Sequence, residues 1–170
     1  MRALSPPLLA LALALAACDD LSRFRTDGAS VYRGEVVGDE GLSFLRRGFA
    51  PGTVLELELD PTRPDVPQPG TLTSSVDPAR GERVFDATPL RSIAPLQHDL
   101  LSEYDFPGGG RVRNYLYVAR PASGPLAGRD AMIFISLLDD GGVEVRVIAG
   151  EGIEENGDHF GVFRMTRADR

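Results

Sequence analysis

Residues 53–60, TVLELELD, constrain the fold more than any other stretch of this chain. Leu55, Leu57 and Leu59 alternate with Glu56, Glu58 and Asp60. A period of two puts the leucines on one face of an extended strand and the carboxylates on the other. Pro51-Gly52 opens the segment and Asp60-Pro61 closes it. Pro69-Gly70-Thr71 and Asp77-Pro78 repeat that punctuation, which fits a second, similar strand.

Alternating segments between turn signals continue to the C-terminus. Residues 31–38, 83–88, 111–120, 143–148 and 160–167 read as strands. Residues 131–138, AMIFISLL, are nearly all apolar and read as a strand buried on both faces. Asp139-Asp140-Gly141-Gly142 is a hairpin loop. Residues 61–69 carry four prolines and form a stiff surface connection, and residues 95–103 are the one short helix candidate, with Pro95 in its first turn. The chain's 170 residues make one domain of ordinary size, and 42% hydrophobic residues supply a core. The expectation is an all-β antiparallel fold of about eight strands, either a barrel or a two-sheet sandwich.

Composition removes several chemistries. All 18 basic residues are Arg, so neither a Schiff-base lysine nor a P-loop lysine is available. A single Cys excludes an internal disulfide and a multi-cysteine metal site, and two His cannot make a three-histidine zinc site. A formal net charge of -7 argues against nucleic acid as a partner. There is no Gly-x-Ser-x-Gly elbow and no His-Glu-x-x-His. His98 and Asp99 are adjacent, and neighbours on an extended strand point to opposite faces and orient each other poorly. Glu151, Glu154, Glu155, Asp158 and His159 crowd one segment without following a calcium-loop pattern, and read as an acidic solvated loop. No catalytic residue, metal ligand or cofactor is assigned, and the chain is read as a non-enzyme.

The N-terminus carries a targeting signal. Arg2 precedes an unbroken apolar run over residues 8–17, too short to span a bilayer, which needs about 20 apolar residues, and of the length of a secretory leader. The run ends in Leu15-Ala16-Ala17-Cys18. These four residues resemble the lipobox of bacterial lipoproteins. The resemblance implies that the leader is cut before Cys18, which carries lipid and anchors the chain to a membrane. Stable anchoring takes at least two acyl chains. The alternative is an ordinary leader cut after Ala17, leaving Cys18 a free thiol. Asp19 resembles the inner-membrane retention signal of enteric bacteria. The implied organisation is a signal peptide over 1–17, a lipidated cysteine and flexible tether over 18–30, and a single all-β domain over 31–170. The protein would sit at a bacterial membrane, on its periplasmic or outer face.

The terminal strands carry a second resemblance. Tyr32-Arg33-Gly34-Glu35-Val36-Val37-Gly38 and Gly161-Val162-Phe163-Arg164-Met165-Thr166-Arg167 look like the first and last strands of lipocalin-like bacterial lipoproteins, without the Trp usual between the first glycines. That likeness implies a barrel able to hold a small apolar or amphiphilic ligand. From the residues themselves, Arg111, Arg113, Tyr115 and Tyr117 share one face of an alternating strand and could contact an anionic amphiphile or a partner. An ordinary half-exposed aromatic pair is the plainer reading. Two functions remain: an envelope interaction module that binds another protein, and a carrier of a small apolar ligand.

Overall fold

The structure, a computed structural model, describes residues 24, 28–37, 49–60, 66–92, 111–149 and 158–168. The leader, Cys18, the helix candidate at 95–103 and most of the acidic segment at 151–159 lie outside the described residues. The strands are β1 (Ser30–Val37), β2 (Val54–Leu59), β3 (Gly70–Ser74), β4 (Val76–Asp77), β5 (Glu82–Arg83), β6 (Thr88–Ser92), β7 (Arg111–Ala119), β8 (Ala131–Leu138), β9 (Val143–Ala149) and β10 (Asp158–Arg167).

Eight strands close into an antiparallel barrel in the order β1-β10-β9-β8-β7-β6-β3-β2, and β2 pairs with β1 to complete the ring. The β4–β5 hairpin stands apart as a two-stranded sheet within the β3–β6 connection. The barrel alternative therefore holds and the sandwich does not. Each strand runs beside its sequence neighbour, so connections alternate between two ends. The near end is where β1 begins and β10 finishes. The far end holds the β1–β2, β3–β6, β7–β8 and β9–β10 connections.

The alternation in β2 sets the pattern. Leu55, Leu57 and Leu59 have no exposed surface, whereas Glu56 and Glu58 are exposed. Leu57 is flanked in register by Tyr32 of β1 and Leu72 of β3, both buried. Across the barrel, Ile133, Ile135 and Leu137 of β8 pair with Val147, Val145 and Val143 of β9. Phe163 and Met165 of β10 close the ring of buried side chains. Full burial of one such side chain contributes about 1.5–3 kcal/mol, so inward alternation across eight strands fixes the register of each. β8 is sheltered on both faces as its composition predicts. Ser136 and Leu138 are buried on the outer side, and Met132 and Phe134 are half-buried there.

Gly34 permits the β1–β10 closure. A Cβ at that position would lie 2.1 Å from the Arg164 carbonyl oxygen. The β8–β9 hairpin turns at Gly141 (φ +85°), and the Gly142 amide donates to Asp140 Oδ1 at 2.8 Å.

One strand differs from its sequence reading. Residues 83–88 do not form a single strand. β5 ends at Arg83, Val84 and Phe85 turn into the core, and β6 starts at Thr88. Ala87 adopts a left-handed conformation (φ 41°), which an extended strand cannot accommodate. Phe24, within the stretch read as a tether, is 1% exposed and belongs to the core cluster.

Candidate functional site

The far end of the barrel is stoppered by side chains from three connections. Phe49 precedes β2, Val84 and Phe85 follow β5, and Leu126 lies between β7 and β8; all four are buried. Phe49 meets Phe163 edge-on at 4.9 Å between ring centroids and Phe85 at 6.5 Å. Such aromatic pairs contribute about 0.5–1.5 kcal/mol beyond the area they bury.

Hydrogen bonds hold this stopper in place. Ser74, at the end of β3, donates its amide to the Phe85 carbonyl at 2.9 Å. Its hydroxyl oxygen accepts from the amides of Val84 (3.0 Å) and Phe85 (3.2 Å). Gly124 packs so closely on this chain that a Cβ there would lie 2.3 Å from the Arg83 carbonyl oxygen.

Asp77 ties the Phe49 segment to the hairpin. Its carboxylate accepts from the Ala79 amide (2.8 Å), the Ala50 amide (3.3 Å) and Arg80 Nη1 (2.5 Å), and its side chain has no exposed surface. Burial alone would raise its pKa. The amides of Ala79 and Ala50 and the Arg80 guanidinium outweigh burial and hold the carboxyl below its ordinary value. The Asp77-Pro78 punctuation marks a strand end in the sequence. The bond to the Ala79 amide, two residues on, is a turn signature legible in Asp-Pro-Ala-Arg, whereas the bond to the Ala50 amide, 27 residues away, is the one that anchors the Phe49 segment and has no signal in the sequence.

The four residues singled out on β7 fall as follows. Tyr115 and Tyr117 face the barrel interior, paired in register with Ile135 and Ile133, with ring centroids 6.1 Å apart. Tyr117 is 1% exposed and Tyr115 packs half-buried on the core cluster. Arg113 is half-buried opposite Leu137, on the same alternation. Arg111 does not follow it. A bulge between Arg111 and Arg113 sets Arg111 opposite Leu138, the neighbour of Leu137. Arg113, Tyr115 and Tyr117 thus keep one register, and Arg111 leaves it at the near end.

A feature that the sequence reading did not single out lies on the outer face. Glu144 and Arg146 of β9 form an ion pair, and their side chains are 10% and 8% exposed although they point away from the interior. Leu116, Phe134 and Val162 occupy the Arg146 row across β7, β8 and β10. In the Glu144 row the Ser136 hydroxyl bonds Asn114 Oδ1 at 2.7 Å. The only signal in the sequence is charge of opposite sign at alternate positions of VEVRVI.

At the near end, burial raises the Tyr32 phenol above its ordinary pKa, with Arg167 and the neighbouring Ser30 hydroxyl opposing the rise and Asp60 adding to it. Among the described residues no three His, Cys, Asp or Glu side chains gather where they could hold a metal ion. Among them, too, no helix is long and apolar enough to cross a membrane.

Fold and site together define a closed, eight-stranded antiparallel β-barrel whose far end is filled by its own apolar side chains. No family model, curated protein or solved structure matches the chain.

Proposed function

We propose that this protein is exported, anchored to a bacterial membrane through lipid on Cys18, and serves at the cell envelope as a non-enzymatic module that binds another protein. Leu15-Ala16-Ala17-Cys18 behind a short apolar leader supports the anchor. The observation that carries the binding role is the stopper of Phe49, Val84, Phe85 and Leu126 over an interior packed with side chains. A barrel filled in this way binds through its outer face and its loops. Eight strands enclose a space that side chains alone can fill.

A carrier of a small apolar or amphiphilic ligand is the second reading. The up-and-down closure of eight strands favours it, since this architecture can also hold one small guest. Arg113 and Tyr115, half-buried on the interior register, are the residues such a guest would meet from the near end.

One purification separates the readings. Protein extracted from its own membranes should carry no stoichiometric lipid beyond the covalent lipid on Cys18, and crosslinking in intact cells should join it to one envelope protein at a reproducible site. A defined guest that raises Tm when returned to stripped protein overturns the module in favour of the carrier, because a ligand selective for the folded state stabilises it by about 2.7 kcal/mol at a hundredfold excess over Kd. The anchor is tested apart from either reading. Full-length protein should partition into detergent and Cys18→Ala should not.

A further inference from the structure

We infer that the near end of the barrel rests against the lipid headgroup surface and the stoppered far end points away from it, an orientation that depends on the Cys18 anchor proposed above. The argument starts from Phe24. This ring is 1% exposed and belongs to the interior core cluster, while the buried outer-face residue Leu138 does not. A closed sheet admits a side chain to its interior only through an end. The chain runs from Phe24 into β1 at Ser30, which lies at the near end. The far end is already filled by Phe49, Val84, Phe85 and Leu126. Phe24 therefore enters at the near end and fixes the chain there.

What remains between lipid and barrel is short. Cys18 and Phe24 are six residues apart in sequence, a reach of at most about 22 Å at the ~3.3–3.6 Å that one extended residue spans. β1 has eight residues, about 26 Å along the strand, and the ~35–45° tilt of strands in a closed barrel leaves about 20 Å along the axis, nearly the whole of that reach. For the far end to touch the bilayer, the leash would have to run back along the whole barrel wall, which takes up nearly its entire length. The near end needs none of it. The surface offered to lipid therefore includes the Asp139-Asp140 hairpin and the end of β10 around Thr166, all exposed. The surface offered to a partner is the far end, with the exposed Ala79 of the β4–β5 hairpin and Ser123 of the β7–β8 connection.

The chain contains no Trp, so a single introduced Trp is a clean emitter. The lipidated Asp139→Trp and Ser123→Trp proteins would be reconstituted into phosphatidylcholine vesicles containing a dansyl-headgroup lipid, and energy transfer from Trp to dansyl measured. Thr166→Trp and Ala79→Trp form a second near and far pair should either first variant fail to fold by circular dichroism. The expected result is transfer at least threefold stronger from the near-end probe than from the far-end probe. Equal transfer, or stronger transfer from the far end, overturns the orientation while leaving the anchor intact. Flotation of the parent protein and of Cys18→Ala with the same vesicles reads the anchor independently. If the parent does not float, the lipidation reading fails and takes the orientation with it.

Discussion

Ser74 holds Phe85 at both of its backbone polar groups. The Ser74 amide donates to the Phe85 carbonyl at 2.9 Å, and the Phe85 amide donates to the Ser74 hydroxyl at 3.2 Å. Ser74 is 1% exposed and Phe85 fully buried, so no water replaces the hydroxyl if it is removed. Ser74→Ala should cost about 1–3 kcal/mol, the price of stranding buried amides, as read from urea unfolding. Phe85→Ala should cost about 3–5 kcal/mol, as for large aromatic truncations in a core. A loss under about 0.5 kcal/mol in both variants would show that Val84 and Phe85 do not stopper the barrel in solution.

The β2 alternation gives a contrast on one strand. Leu57→Asp buries a carboxylate among Tyr32 and Leu72 with nothing to pair it, and should cost several kcal/mol against a total stability of about 5–15. Glu56→Gln on the exposed face should stay within about 0.5 kcal/mol. Chemical denaturation of the two variants measures both, and equal losses would contradict the register.

Asp77 makes stability depend on pH. Its folded pKa lies below the unfolded value, so the folded state binds fewer protons there. Its contribution is complete above the unfolded pKa of about 3.9 and is lost as pH falls through the folded value. Asp77→Asn should therefore lower Tm at pH 7, and the gap between variant and parent should narrow as the solution is acidified below pH 4. A gap that stays constant from pH 7 to pH 3 would exclude the carboxylate as the anchor of the Phe49 segment.

Glu144 and Arg146 test whether the outer face is dry. Breaking a buried ion pair from one side leaves an uncompensated charge, so Glu144→Leu should destabilise by about 3–5 kcal/mol. Adding Arg146→Met should recover most of that loss, since replacing both members of such a pair is often neutral. If Glu144→Leu costs less than about 1 kcal/mol, the pair behaves as an exposed one.

Local pattern and long-range packing were not equally legible in the sequence. Leu55, Leu57 and Leu59 declared their face because three carboxylates alternate with them. The hairpin at Asp139-Asp140-Gly141-Gly142 was legible from its turn residues. The alternation left barrel and sandwich both open, and only the likeness of the terminal strands pointed to a barrel, because closure depends on β1 meeting β10 from the other end of the chain, through an approach that a glycine at position 34 permits. Val84 and Phe85 read as strand residues because apolar character does not distinguish a rung of a sheet from a plug across its mouth. The spacing of Tyr115 and Tyr117 puts them on one face, but spacing does not say which face is inside. It also groups Arg111 with them, because a bulge leaves no mark in a period-two pattern.

The ring has one thin joint. β3 and β6 meet in register only at Thr71 with Pro89 and at Leu72 with Thr88, whereas β7 and β8 pair along nearly their whole length. Pro89 has no N–H to contribute to that joint. Because the strands follow sequence order around the barrel, rupture between β3 and β6 would not scatter them. It would convert the cylinder into one continuous curled sheet, with β3 and β6 as its two raw margins. Amide exchange in those two strands is then the first to accelerate when the molecule breathes, well before the long β7–β8–β9 ladder gives up its protons.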